Sequence, residues 1–516
     1  MKTSELTVKD TKNKLEYALL ILAAVITITF VSTSSPLYPF NPWDDANCFF
    51  TLGRGITHGL VPYKDLYEQK GPLLYFLYAL AALISDKSFI GGWILECIMA
   101  SLFAVFSWKI TKLFVNTEKY QIAIMPLIIA LTYTSRLFNF GGNAEELCFP
   151  LLTIALYFGL KAIKEGNGLP KKSEAFICGI ILGCLFWIKY TFIGFMLGFC
   201  IYILILAIKQ KNFACLWALI WRFILGFVVL SAPILVYFLA NNALSSLWEA
   251  YFYNNMFLYH ANANVPGLAS VPVINRIYIP VSSIVRMGIK YPKFGVMLLL
   301  SIVSVFFVEK KYRKKTLLLF VATFALTLAT TFTKTSFIYY YAYICACYFG
   351  LVALLIINGI NRLSKFFEQN PGFIKGLISA VFLIFYAATI FLSKNTYLIF
   401  QKKDFLVQYR YAEIINQTPD PKILTFDVMD AGFYTASGIM PTNRFFCFLN
   451  IESNYPAILE EQNRLIDEGY YDYIITSYFC ESEWDNYTLI KEDTHLYIDF
   501  TGEKGLDGFR LYKRAN

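Results

Sequence analysis

Charge is scarce in this chain. Asp, Glu, Lys and Arg make up 16% of its 516 residues, against 57% that are hydrophobic. A water-soluble protein of that length, about three domains' worth, could not solvate so apolar a surface. Histidine is nearly absent, with 3 residues, and no Cys/His spacing typical of a metal site occurs. The tail, residues 394–516, has no internal repeat and no low-complexity segment. A basic start and the apolar run Tyr17 to Val31 are followed by no clear small-x-small cleavage site, so the start reads as an uncleaved signal anchor. Most of the 11 cysteines, such as Cys97, Cys178, Cys184, Cys345 and Cys347, lie in apolar runs, where Cys acts as a small hydrophobe. Cys447 and Cys480 fall in polar sequence, where a disulfide between them or two free thiols are equally open.

Apolar runs of spanning length, roughly 20 residues, recur from residue 17 to residue 393. The net charge of +9 (45 basic minus 36 acidic) raises the question of nucleic acid, but position answers it. The basic residues cluster in short connectors: Lys109, Lys112 and Lys119; Lys161, Lys164, Lys171 and Lys172; Lys209 and Lys211; Lys310, Lys311, Arg313, Lys314 and Lys315; Arg362 and Lys365. Such clusters mark cytoplasmic loops. The expected partner is therefore a lipid bilayer, not nucleic acid. With the clusters inside, eleven spans are expected near 17–36, 89–108, 120–137, 147–163, 175–188, 191–208, 216–240, 294–308, 316–333, 338–358 and 374–393. Residues 37–88, 138–146, 241–293 and the tail then face the outside. The expected fold is mainly α: a polytopic transmembrane helix bundle over 1–393, followed by a small extracytoplasmic α/β domain over 394–516. Leu73 to Ile84 is short for a span and reads as a re-entrant or interfacial helix. In the tail, Lys422 to Val428 and Tyr471 to Tyr478 read as strands and Tyr455 to Tyr470 as an amphipathic helix; Leu496 to Phe500 and Phe509 to Lys513 read as edge strands.

The first outer loop, NPWDDANCFFTLGRGITHGLVPYKDLYEQKGPLLYFLYAL from Asn41, concentrates polar groups. Adjacent acids Asp44 and Asp45 directly after a span are costly at a bilayer surface unless they are solvated or used. From spacing alone, loop solvation and function are evenly balanced.

The loop resembles the first extracytoplasmic loop of the GT-C superfamily, in its protein O-mannosyltransferase, aminoarabinose transferase and RgtA-like branch. The matching features are Asp44–Asp45, the aromatic Phe49, Gly59–Leu60–Val61–Pro62–Tyr63–Lys64–Asp65, and Lys70–Gly71–Pro72–Leu73 entering an apolar helix. The second acid is often Glu in the family and is Asp here. Asn143–Ala144–Glu145–Glu146 at the start of a span, and Lys189 at the end of a small-residue helix, fit the same branch. On their own, Glu145 reads as an acid favoured by a helix dipole and Lys189 as a snorkelling lysine. The resemblance covers roughly the first 200 residues and continues as a layout: a long outer loop, an aromatic run at Tyr339 to Tyr343 and a soluble tail.

That resemblance implies a membrane glycosyltransferase carrying a sugar from a polyprenyl-phosphate donor to an acceptor of the cell envelope. Inverting transfer needs a carboxylate base and cations for the leaving phosphate. Asp44 would be the base. Asp45, Glu145 and Glu146 would orient the acceptor or a divalent cation, Lys70 and Lys189 would hold the phosphate, Arg54 and Lys64 stand in reserve, and Tyr63 would stack on a sugar. Whether the carboxylates bind a divalent cation or only position the acceptor stays open. A transporter or lipid-linked sugar flippase is the alternative, and would carry its ionisable groups near the bilayer midplane. A non-catalytic assembly scaffold is a third reading, one that would tolerate loss of Asp44.

Overall fold

The computed structural model describes residues 2–135, 138–258, 273–330, 339–363, 371–498 and 504–515. Part of the expected outer loop 241–293, the facing ends of the expected spans 316–333 and 338–358, Lys365 and Phe500 lie outside the described residues. The helices, in chain order, are α1 (Lys2–Val31), α2 (Asp44–Thr57), α3 (Pro72–Ile84), α4 (Ile90–Phe114), α5 (Ile124–Tyr133), α6 (Ala144–Glu165), α7 (Lys172–Lys189), α8 (Ile193–Lys209) and α9 (Phe213–Ala240). They continue as α10 (Leu244–Leu247), α11 (Val273–Lys290), α12 (Pro292–Phe306), α13 (Lys310–Thr330), α14 (Tyr339–Ala346), α15 (Val352–Leu363), α16 (Pro371–Phe391), α17 (Val407–Ile415), α18 (Phe433–Ser437) and α19 (Ala457–Asp467).

Among the described residues, seven helical stretches are long and apolar enough to cross a membrane. One of them, Lys172–Lys209, runs for 38 residues and is interrupted at Tyr190–Phe192, so it has length for two crossings. Expected spans at 120–137 and 294–308 correspond to the shorter apolar stretches Lys119–Tyr133 and Pro292–Phe306. Helix α13 begins inside the basic connector, with Lys310, Lys311, Arg313, Lys314 and Lys315 in its opening turns, so its apolar part is shorter than the helix. Helix α3 has 13 residues, about 20 Å at 1.5 Å per residue, well below a bilayer's ~30 Å. It buries Leu74, Tyr75, Tyr78, Ala81 and Ala82 against its neighbours.

Two close approaches fix α2, α3 and α7. A Cβ on Gly53 would lie 2.5 Å from the Tyr78 backbone, so α2 and α3 touch at main-chain distance. Gly71 caps α3 ahead of Pro72 at the first helical position, and its N–H donates to Ile188 O at 3.0 Å. A Cβ there would sit 2.1 Å from Trp187 O, which no side-chain movement relieves. Gly71→Ala is therefore expected to destabilise the protein by about 1–3 kcal/mol or more, as overpacking does, visible as a lower midpoint of thermal aggregation in detergent. An unchanged midpoint would show that the junction is slack.

The tail forms β1 (Ile423–Phe426), β2 (Tyr473–Ser477), β3 (Tyr487–Ile498) and β4 (Lys504–Arg514) in the order β1-β2-β4-β3. Strands β1 and β2 are parallel and the other pairs antiparallel. The segment Phe509 to Lys513, expected at an edge, lies in β4 between β2 and β3. Strand order depends on contacts distant in sequence, which a local pattern does not carry. Side chains alternate between two cores: Ile423, Tyr473, Ile475 and Leu511 join the core continuous with the helical body, whereas Leu424, Ile474 and Tyr512 pack with Leu465 and Ile466 of α19. Cys447 belongs to the first core and Cys480 to the second, so the two lie in separate cores. The disulfide between Cys447 and Cys480 left open by the sequence is thus not formed.

Candidate active site

The first-loop motif folds around one lysine. Helix α2 opens at Asp44–Asp45, its acids facing the positive end of the helix dipole, and closes at Thr57, where Gly59 takes the left-handed φ of 85° that ends the turn. In the following turn Asp65 Oδ2 accepts from Val61 N–H at 2.7 Å, and Tyr63 adopts φ 67°, rare for a non-glycine residue. The fully buried Tyr63 donates its hydroxyl to Lys70 O at 2.6 Å, and Tyr75 donates to the same carbonyl at 3.0 Å. Glu68 Oε2 accepts from Lys70 N–H at 2.7 Å. Lys70 Nζ then reaches Glu68 Oε1 at 3.4 Å and Asp45 Oδ1 at 3.8 Å, with the Phe49 ring 5.4 Å away. Motif residues scattered from 45 to 70 therefore have a common physical task, fixing the Lys70 ammonium beside a carboxylate.

Glu145 and Glu146, in the first turn of α6, are 3% and 2% exposed. Glu145 is ion-paired with Lys189, the last residue of α7, whose preceding Trp187 and Ile188 carbonyls meet Gly71. Asp45, Glu68, Glu145, Lys70 and Lys189 thus form one electrostatic cluster. Removal from water raises the Asp45 pKa above its ordinary value, and Glu68 and Glu145 add to the rise while Lys70 and Lys189 oppose it. A carboxyl set this way can exchange protons nearer neutrality than a free aspartate. Asp44 is half-buried one residue earlier. Glu146 accepts from Asn143 Nδ2 at 2.8 Å and Tyr343 OH at 3.2 Å.

Two sequence candidates are placed elsewhere. Arg54, 2% exposed, points away from the lysines and donates to Tyr434 O at 2.9 Å and Gly438 O at 3.0 Å, fastening α2 to the tail. Lys64 is exposed and donates to Asn241 O at 3.0 Å. Tyr63, whose ring lies 5.6 Å from that of Phe238, is enclosed and offers no open face for a sugar. The side chains of Tyr339 to Tyr341 lie outside the described residues, while Tyr343 is fully buried. Among the described residues, no group of three or more His, Cys, Asp or Glu side chains is arranged to hold a metal ion.

The sequence reading passed over three acids. Glu68 stands two residues before Lys70 in the quoted loop but has no place in the motif. Glu96 is a lone acid in the apolar α4, beside Glu146, Ser32 and Ser34, and an acid within a span is itself a signal. Asp430, wholly buried in the tail, accepts from Thr51 of α2 and from Gly432 N–H at 2.9 Å. Burial raises its pKa from 3.8 to about 6. Folding therefore favours the protonated form: its contribution to stability is full below 3.8 and is lost as pH rises through about 6. The wild type should gain on the order of 3 kcal/mol between neutral and acidic pH through this group. Asp430→Asn should lack that increment in melting curves taken from pH 7 to pH 4, and parallel curves would contradict the assignment.

Residues 69–248 match the sequence profile of the family described as dolichyl-phosphate-mannose-protein mannosyltransferase. That stretch contains Lys70, Glu145, Glu146 and Lys189 and stops short of Asp44 and Asp45. The crystal structure of ArnT from Cupriavidus metallidurans bound to undecaprenyl phosphate superposes with TM-score 0.55 at 10% identity, covering 95% of this chain and 98% of that one. Its apo state gives 0.54 at 10% identity, covering 96% and 98%. No curated protein sequence matches the chain. The fold is thus the GT-C fold. Residues 69–248, which begin at the Lys70–Gly71–Pro72–Leu73 part of the first-loop motif, are similar to that mannosyltransferase family.

Proposed function

We propose that this protein transfers a sugar from a polyprenyl-phosphate donor to an acceptor of the cell envelope. The observation that carries this reading is the convergence of Lys70 and Lys189, from opposite sides of the Gly71 junction, on the carboxylates at the start of α2 and α6. Two fixed ammonium groups suit a phosphate that gains charge as the glycosidic bond breaks. Before donor binds, Asp45, Glu68 and Glu145 hold them in place. The donor phosphate would displace part of that pairing, which proton uptake by the elevated Asp45 carboxyl assists.

In this scheme Asp44 takes the proton of the acceptor hydroxyl as it attacks the anomeric carbon, and the carbon–phosphate oxygen bond breaks to leave polyprenyl phosphate on the lysines. Asp45 and Glu145 set the lysines, while Glu146, held by Asn143 and Tyr343, braces the start of α6. The family profile and the undecaprenyl phosphate in the ArnT structure support a polyprenyl-phosphate carrier. The loop and tail are read as facing the outside, where such acceptors are found.

The test is incubation of the purified protein with a panel of radiolabelled polyprenyl-phosphate sugars and isolated envelope fractions. Label moving into the envelope fraction from one of the donors supports the reading. No transfer from any of them, by protein that still binds polyprenyl phosphate, would oppose it.

A further inference from the structure

The first loop and the tail bring two sulfurs together. Cys48, on α2, and Cys447, on the tail segment between α18 and α19, have Sγ atoms 4.0 Å apart, and neither residue has any exposed surface. Both flanks of this contact are clamped. Arg444 Nε donates to Tyr63 O at 2.9 Å, Tyr67 N–H donates to Arg444 O at 2.8 Å, and Gln462 Nε2 donates to Phe445 O at 2.8 Å. On the α2 side, Arg54 and Thr51 hold the tail at Tyr434, Gly438 and Asp430.

We infer that Cys48 and Cys447 form a disulfide that locks the tail onto the helix carrying Asp44 and Asp45. A disulfide places its sulfurs about 2.05 Å apart, so roughly 2 Å of closure is required from the 4.0 Å contact. The inference rests on the outer placement of loop and tail in the proposed function, because disulfides persist in oxidising compartments.

The chemistry is ordinary thiol–disulfide exchange with the active-site disulfide of a thiol oxidase. One cysteine thiolate attacks that disulfide, forming a mixed disulfide and releasing one oxidase thiol. The second cysteine, losing its proton, attacks the protein sulfur of the mixed disulfide, so the Cys48–Cys447 bond forms and the second oxidase thiol leaves. Two protons and two electrons have then passed from the pair to the oxidase. Since both sulfurs are enclosed in the seated structure, exchange must occur before the tail docks. Once the tail has docked, the bond is shielded from reductant.

The experiment alkylates thiols in denaturant, on protein taken directly from cells without reductant, then digests and maps linked peptides by mass spectrometry. A peptide joining Cys48 to Cys447 is expected in wild type and in Cys480→Ala, and is lost in Cys48→Ala. It should survive reductant in native detergent and disappear when denaturant is added. Alkylation of both cysteines in wild-type protein overturns the inference. A Glu413→Cys variant, exposed on α17, is treated in parallel with a membrane-impermeant maleimide in intact cells. Free Cys48 and Cys447 together with external labelling at 413 defeat the disulfide and leave the outer placement standing. Free thiols with labelling only after permeabilisation defeat both.

Discussion

Asp44→Asn is expected to turn over at no more than about one hundredth of the wild-type rate while binding donor normally. Asparagine keeps the size and hydrogen-bonding outline of aspartate but has no basicity, and general-base catalysis contributes about 10²–10⁴ in rate. Asp44 occupies the first position of α2, at the positive end of the helix dipole, which stabilises the carboxylate needed to accept a proton. The neighbouring Asp45 is engaged by Lys70 at 3.8 Å, so Asp45→Asn should weaken the setting of that lysine and raise the donor KM more than it lowers kcat. If both variants lose turnover equally, the two acids titrate as a unit and the roles belong to the pair. Turnover of Asp44→Asn near wild type, in a transfer assay with parallel donor binding, would remove Asp44 from the chemistry.

Lys70→Met and Lys189→Met should each weaken donor use by about tenfold or more, because a charged hydrogen bond to phosphate contributes roughly 1.5–3 kcal/mol. Acceptor affinity should change little. Both variants also carry a stability cost that the structure specifies. Lys189 neutralises Glu145, which is 3% exposed, and removing one partner of a buried pair costs about 3–5 kcal/mol through the charge left behind. Lys189→Met should therefore also lose stability, and the double variant Lys189→Met with Glu145→Gln should recover the stability but not the donor affinity. Lys70 likewise pairs with Glu68, which is 2% exposed, and with Asp45, so Lys70→Met should also lose stability, and Lys70→Met with Glu68→Gln should recover part of it but not the donor affinity. Recovery of donor affinity in the double variant would assign Lys189 to folding only.

The helical body was legible because its signals are local. Apolar runs and basic connectors place a helix at each expected span, and the shortness of 73–84 already marked α3 as different. The gathering of Asp45, Phe49, Tyr63, Asp65 and Lys70 was legible as a motif, though its physical content was not. The sequence offers Tyr63 as a sugar-stacking face; in the fold, its left-handed backbone and buried hydroxyl serve to hold Lys70 O. Arg54 looks like a phosphate ligand in sequence and is a fastener in space, because what decides between them is the Tyr434–Gly438 segment, some 380 residues away. Asp430 and the position of β4 escaped for the same reason. Glu68 was present in the loop but needed the fold of the Tyr63 turn to bring it under the Lys70 ammonium.

The central claim is that the charged cluster at the head of α2 performs sugar transfer from a lipid phosphate. The measurement that tests it most directly is transfer of labelled sugar by reconstituted protein from the donor that wild type accepts, compared across wild type, Asp44→Asn and the double variant with Asp45→Asn, with donor binding followed in the same vesicles. The account predicts transfer by wild type, at least about a hundredfold loss with retained donor binding in Asp44→Asn, and near-complete loss with weakened donor binding in the double variant. Near-normal transfer in the double variant would contradict it. Movement of intact labelled donor across the bilayer without transfer would make the protein a lipid-linked sugar flippase instead.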